Sequence, residues 1–285
     1  VILTSSELAS EHNAAPNLNS PRVLIFDSGV GGLSVMREIA ARLPAIQLVY
    51  AADNAAFPYG VKPESELVAR VSTVIRALVD RTQPDILVIA CNTASTTALD
   101  AVRQFLSIPV IGVVPAVKPA AAASLTRSIG LLGTATTVAS SYTQALIAEF
   151  AADCAVLLCG APELVEMAEL KIQGLPVDKA AIEAALARLF GQAGGNRIDQ
   201  VVLGCTHFPL LVPELTEAAP HPVAWLDSGA AIARRVASLL GDAPVMPGKA
   251  LPRYRAIFTA DTGAVGRMAK GLSVFGLEEI DFLPI

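Results

Sequence analysis

Two cysteines stand out by their surroundings. Cys91 ends the apolar run Ile86-Leu87-Val88-Ile89-Ala90 and is followed by Asn92 and Thr93; Cys205 ends Val201-Val202-Leu203-Gly204 and is followed by Thr206 and His207. Runs of this kind read as buried parallel strands, and open α/β sheets bind ligands at the carboxyl ends of their strands. A helix starting at each position would add backbone N–H groups and a positive dipole end, which lower a thiol pKa and favour anions. The other two cysteines, Cys154 and Cys159, flank Ala155–Leu158 and read as core residues. Two thiols in matched contexts suit one reaction in particular. Inverting a carbon takes a base on one face and an acid on the other, and mirror-image products call for a nearly mirror-symmetric pair. One thiolate removes the Cα proton, the opposite thiol delivers one, and the roles exchange in reverse. The thiol pKa, about 8.5, lies nearer neutrality than that of Lys or Tyr.

Other chemistries fit less well. Cys205-Thr206-His207 offers two zinc-ligand types, but no C-x-x-C or H-x-x-x-H pair completes a site, so no metal is expected. Asp27-Ser28-Gly29-Val30-Gly31-Gly32 is glycine-rich after a strand, yet it is neither G-x-G-x-x-G nor a Walker loop. It reads as a tight turn in which Ser28 or Asp27 caps the next helix, and as a carboxylate with backbone donors beside a polar substrate. His12 and His221 have no such context.

The elements that must position these residues alternate. Strands are expected at Val23–Phe26, Ile46–Ala51, Ile86–Ala90, Val110–Val114, Ser128–Leu132, Ala155–Cys159, Val201–Gly204, Val223–Leu226 and Ala256–Thr259. Helices are expected at Leu33–Arg42, Glu64–Asp80, Ser95–Phe105, Ala135–Phe150, Glu163–Ile172, Asp178–Gln192, Ala230–Leu240 and Ala264–Leu272. This is an α/β fold with mainly parallel sheets. Two internal echoes imply two similar halves: the Cys91 and Cys205 segments, and Phe26-Asp27-Ser28-Gly29 with Leu226-Asp227-Ser228-Gly229. Pro115 and Pro119 bracket a boundary near Val114–Ala116.

Composition excludes several classes. The 285 residues are 53% hydrophobic and 16% charged, with a formal net charge of −5, which excludes a disordered chain and a broad basic surface for nucleic acid. Mean hydropathy is +0.54, but the most apolar long window, Ile108–Leu125, contains Pro109, Pro115, Lys118 and Pro119, so no membrane span is expected. Residues 1–20 show neither a basic start nor an apolar run; they read as a flexible N-terminal extension, not a signal peptide. A cytoplasmic setting follows, with the cysteines as thiols.

The segments Phe26–Leu33, Asp53-Asn54-Ala55-Ala56-Phe57-Pro58-Tyr59-Gly60, Ala90–Ser95, Gly204–Leu210 and Asp227–Ala230 together resemble the cofactor-independent aspartate/glutamate racemase family. The resemblance runs from Val23 to about Leu240. It implies two pseudo-symmetric α/β domains, 21–114 with 229–285 and 115–228, facing each other across a cleft that holds the site. It implies interconversion of L- and D-glutamate by two cysteines without a cofactor, Cys91 acting as base on D-glutamate and Cys205 on L-glutamate. Asp27 and His207 match family positions that assist the respective thiols, and Asp53 and Glu169 match further acidic positions. Substrate contacts carried over with the two thiols, Asp27 and His207 are Ser28, Pro58, Tyr59, Gly60, Asn92, Thr93, Thr134 and Thr206. The N-terminal extension and Ala161–Gly174 are similar to a subgroup activated by UDP-N-acetylmuramoyl-L-alanine, and family members are often dimers. D-glutamate for peptidoglycan is the implied product. Aspartate or another amino acid as substrate, and a catalytically silent α/β binding protein, are the alternative readings.

Overall fold

The computed structural model describes residues 20–241 and 254–285. In chain order the elements are β1 (Arg22–Asp27), α1 (Leu33–Arg42), β2 (Gln47–Ala52), α2 (Glu64–Thr82), β3 (Ile86–Ile89), α3 (Asn92–Phe105), β4 (Val110–Gly112), α4 (Val117–Ala123), β5 (Ser128–Gly133), α5 (Ala135–Ala139), α6 (Ser141–Phe150), β6 (Ala155–Gly160), α7 (Pro162–Ile172), α8 (Lys179–Phe190), β7 (Gln200–Gly204), α9 (Val212–Ala218), β8 (Ala224–Leu226), α10 (Gly229–Leu240), β9 (Tyr254–Phe258), α11 (Gly263–Ser273) and β10 (Leu277–Phe282). Short 3-10 turns at Tyr59–Val61, Gly195–Arg197 and Phe208–Leu211 complete the set.

The strands form two sheets, one six-stranded in the order β10-β9-β2-β1-β3-β4 and one four-stranded in the order β6-β5-β7-β8. Every strand pair is parallel. The run β2-β1-β3-β4 repeats as β6-β5-β7-β8, so β3 and β7 are equivalent strands, and Cys91 and Cys205 follow them. The thiol echo therefore has a topological basis. The Asp-Ser-Gly echo does not: Asp27 ends β1, whereas Asp227 follows β8, the counterpart of β4.

Burial explains the strands. In β1, Val23 and Ile25 join one apolar cluster while Leu24 and Phe26 join another, so helices cover both faces. β3 and β5 are buried throughout. β10 was not among the expected strands because Leu277-Glu278-Glu279-Ile280-Asp281-Phe282 lacks a continuous apolar run; it lies at the sheet edge, where its acidic side chains reach water.

Several helix ends differ from expectation. The Ala135–Phe150 stretch is two helices, because Ser140 turns extended and its Oγ accepts from Thr143 N to cap the second. α4 and α9 were not expected, since each carries an early proline, which the first turn tolerates. α3 begins at Asn92, three residues before its expected start, with Cys91 as its N-cap. Cys205 instead leads into a 3-10 turn, so no α-helix starts there. Asp27 and Ser28 do not cap α1 either: its N-cap is Gly32, without a side-chain bond. The residues expected as an N-terminal extension lie outside the described ones, save Ser20.

Ser95 fixes Cys91 in place. Its Oγ donates to Ile89 O (2.9 Å) and accepts from Val113 N (3.0 Å), while its own N–H donates to Cys91 O (2.8 Å). The buried hydroxyl thus ties the first turn of α3 to the ends of β3 and β4. Ser95→Ala is expected to lower unfolding stability by about 1–3 kcal/mol, measured by urea denaturation; a loss below about 0.3 kcal/mol would show that the bridge contributes nothing net.

Candidate active site

The turn after β1 is built around the Asp27 carboxylate, which is fully buried. Oδ1 accepts from Ser28 N (2.5 Å) and Gly29 N (3.4 Å), and Oδ2 accepts from Thr206 Oγ1 (2.8 Å) on the other sheet. Burial dominates and holds the Asp27 pKa above the usual carboxylate value, against the opposing pull of His207 and these bonds. The glycines of this turn answer to contact. A Cβ on Gly29 would lie 2.2 Å from Glu169 Oε1, and one on Gly31 would lie 2.4 Å from His207 Nδ1. The backbone therefore passes directly against two side chains carried by the second half.

The two thiols are buried and electrostatically different. Cys91 Sγ lies 3.8 Å from Ser28 Oγ. Burial, and then the charge of Asp27, push its pKa well up. Cys205 Sγ lies 3.7 Å from His207 Nδ1, and His207 Nε2 lies 2.9 Å from Glu169 Oε1. Burial opposes a charge on His207, but its contacts with Cys205 and Glu169 outweigh this and hold its pKa well above the ordinary value. Glu169 Oε1 also accepts from Val30 N at 2.8 Å, so one carboxylate oxygen orients the imidazole and grips the β1 turn. The result is a histidine with its charged form favoured beside Cys205, and Asp27 near Cys91. Charge at Cys205 in turn acts on Cys91.

Polar groups surround the thiols. Asn92 Oδ1 is buried and has no hydrogen-bond partner among the protein atoms, an acceptor aligned for a donor from outside the chain. Thr93 Oγ1, Thr134 Oγ1 and Thr137 Oγ1 form a buried chain with spacings of 3.2 and 3.0 Å. Thr137 was absent from the expected contacts, although Thr134-Ala135-Thr136-Thr137 at a strand end was a visible cue. Gly60 lies against this chain, where an added Cβ would meet Thr134 Cβ at 3.0 Å, and Thr136 Oγ1 donates to Gly60 O (2.8 Å). Ser34, on the first turn of α1, donates to Thr206 O (2.9 Å) and further joins the halves.

Three expected site residues lie on the segment after β2, and one of them, Tyr59, shares a buried apolar cluster with Cys91. Pro58 is exposed. The Tyr59 phenol donates to Asp53 Oδ2 (2.6 Å), and so lies against Asp53. The Asp53 carboxylate is buried and fully engaged with Arg70, Tyr59 and Thr259. Among the described residues no three His, Cys, Asp or Glu side chains converge as metal ligands. A cavity of about 340 Å³ lies behind Glu169, between α7 and α11, on Gly29, Phe57, Leu170 and Met268, and not over the thiols.

Since the Glu169 carboxylate favours the charged imidazole, Glu169→Gln is expected to lower the His207 pKa, so that the ring loses its proton as pH rises sooner than in the parent protein. Imidazole NMR across a pH titration checks this. An unmoved His207 titration would mean that Glu169 does not hold the proton.

Residues 23–236 match the family described as Asp/Glu/Hydantoin racemase. Glutamate racemase of Vibrio cholerae is 51% identical over 221 residues, 78% of this chain and 81% of that protein. Glutamate racemase of Escherichia coli is 44% identical over 273 residues, 95% of this chain and 94% of that protein. The solved structure of the Escherichia coli enzyme, in complex with L-glutamate and the activator UDP-MurNAc-Ala, superposes with a TM-score of 0.86, covering 93% of this chain and 98% of that one. Glutamate racemase from Thermus thermophilus, in complex with β-chloro-D-alanine, is 31% identical with a TM-score of 0.74, covering 94% of this chain and 98% of that one. The paired thiols, the sheets that carry them and these likenesses have one account: the chain belongs to the Asp/Glu/Hydantoin racemase family.

Proposed function

We propose that the chain is a glutamate racemase that moves the Cα proton between Cys205 and Cys91. The observation that carries this is the pair of buried thiols at the ends of equivalent strands, one beside His207 and one beside Asp27. With L-glutamate, Cys205 as thiolate takes the Cα proton and becomes a thiol. The electron pair stays on Cα and the adjoining carboxylate. Cys91 as thiol delivers its proton to the opposite face, leaving a Cys91 thiolate and D-glutamate. The reverse reaction exchanges the roles.

The chain's own groups make the step feasible. His207 as imidazolium stabilises the Cys205 thiolate, and Glu169 keeps the imidazole charged and aimed. Asn92 Oδ1 accepts from the substrate ammonium, and the Thr93–Thr134–Thr137 hydroxyls with Ser28 and Thr206 hold its carboxylates. Asp27, with its raised pKa, orients Ser28 and exchanges protons on the Cys91 side. Enclosure removes water and strengthens each of these interactions. The two sheets support a reading of two domains, 21–114 with 229–285 and 115–228, meeting at the site; α10 packs on α1, in accord with its place in the first.

The Escherichia coli relative is bound to L-glutamate and UDP-MurNAc-Ala. We extend both to this chain: glutamate as substrate, the nucleotide as activator, and D-glutamate for peptidoglycan as the product's use. A cytoplasmic site of action accords with that role. Among the described residues no helix is long and apolar enough to cross a membrane.

In deuterated water, metal-free and pyridoxal-free protein is expected to racemise L-glutamate with deuterium entering Cα, followed by circular dichroism and proton NMR, and the nucleotide is expected to raise the rate. Cys91→Ala and Cys205→Ala should each lower kcat/KM about 10²–10⁴-fold. Cys91→Ala should still exchange the Cα proton of L-glutamate faster than that of D-glutamate, and Cys205→Ala the converse. Normal racemisation by either variant would refute the two-thiol reading. No turnover of glutamate with or without the nucleotide, or faster turnover of aspartate, would refute the substrate.

A further inference from the structure

Asp53 matches an acidic position expected at the reacting centre, yet its carboxylate has no oxygen left for substrate. Oδ1 accepts from Arg70 Nη2 (2.6 Å) and Thr259 Oγ1 (2.7 Å); Oδ2 accepts from Arg70 Nε (2.9 Å) and the Tyr59 phenol (2.6 Å). Arg70 thus grips Asp53 with two parallel bonds, the strong form of a guanidinium–carboxylate contact. The group is an anchor, and what it anchors matters. Asp53 N donates to Asp27 O (2.9 Å), which joins it to the turn beside Cys91. Thr259 Oγ1 also accepts from Ala55 N (3.0 Å), which holds the start of the segment leading to Tyr59. That segment ends at Gly60, in contact with Thr134 and Thr136 of the other sheet.

Arg70 lies on α2, 17 residues from Asp53 in the chain, and makes none of the contacts around the thiols. Without it the buried Asp53 carboxylate would lose its counter-charge, and the Tyr59 bond would weaken with it. Burial alone would raise the Asp53 pKa; Arg70, with Tyr59 and Thr259, brings it below the usual value.

We propose that Arg70 is a positioning residue for substrate binding: through Asp53 it fixes Tyr59, and so sets the 58–60 segment against Thr134, where a carboxylate of glutamate is held. This rests on the racemase reading above. Arg70 touches neither thiol and acts on the docking of the substrate, so its loss registers in KM.

Steady-state racemisation separates these. The unaltered protein is measured first, and its failure to racemise glutamate would sink the racemase reading itself. With an active parent, Arg70→Gln is expected to raise KM for both enantiomers about tenfold or more, with kcat held within about threefold. Arg70→Lys keeps the charge but not the fork, and should recover most of the KM loss. A general folding defect lowers the active fraction, and so kcat, without moving KM. Unchanged KM in Arg70→Gln, or a fall in kcat at constant KM, overturns the proposal. Tyr59→Phe keeps the Arg70–Asp53 pair and deletes only the phenol bond, so it serves if Arg70→Gln does not fold. Its KM should rise about threefold, and an unmoved KM there overturns the proposal equally.

Discussion

A carbon that is to be inverted must be reached from both faces, and a side chain on one rigid element reaches only one. The chain meets this constraint by doubling the element. Four strands of one parallel sheet share the order of the other, a cysteine follows each equivalent strand, and hydrogen bonds join the carboxyl ends. The joints are specific: Thr206 donates to Asp27, Ser34 to Thr206 O, and Val30 N to Glu169. Each crosses from one half to the other, and two of the three involve Thr206, the neighbour of Cys205. The close approach at Gly29 and Gly31 follows from the same demand, because the turn bearing Asp27 must lie against Glu169 and His207.

Symmetry of the reaction does not require symmetry of the site. Enantiomers have equal free energy in an achiral solvent, so kcat/KM must be equal in the two directions whatever the residues are. The protein is free to treat its thiols differently, and it does. The buried His207, whose charged form is favoured by its contacts, faces Cys205, whereas burial and the charge of Asp27 raise the Cys91 pKa. Asp27, with its raised pKa, is bonded to Thr206 on the Cys205 side and acts electrostatically on Cys91 on the other.

The thiol pair was legible in the sequence because each cysteine closes an apolar run, and strand ends are where α/β sheets bind ligands. Strand periodicity also placed most of both sheets. The failures share a physical cause, which is partners distant along the chain. The Asp53 carboxylate contacts Arg70 17 residues away and Thr259 206 residues away, and neither spacing carries a signal. The same holds for the Tyr59 phenol, whose bond to Asp53 joins it to that cluster. β10 is polar because it is an edge, and the Asp-Ser-Gly repeat matched by composition while sitting after strands that are not equivalent. The helix start expected directly after Cys91 is present at Asn92, whereas the apolar pattern alone placed the helix from Ser95.

The two assisting carboxylates show how far the internal likeness extends. Asp53 follows β2, and Glu169 lies on the helix after β6, so they come from equivalent stretches of the two halves. Glu169 meets a histidine that meets a thiol, and its charge acts on that histidine. Asp53 meets an arginine that never loses its proton, and its charge is cancelled where it lies. A carboxylate paired with a titratable base tunes chemistry; one paired with a permanent cation can only hold position. The doubled scaffold therefore places both thiols. The 58–60 segment and His207 are separate additions, one to each half, and they make a symmetric frame asymmetric.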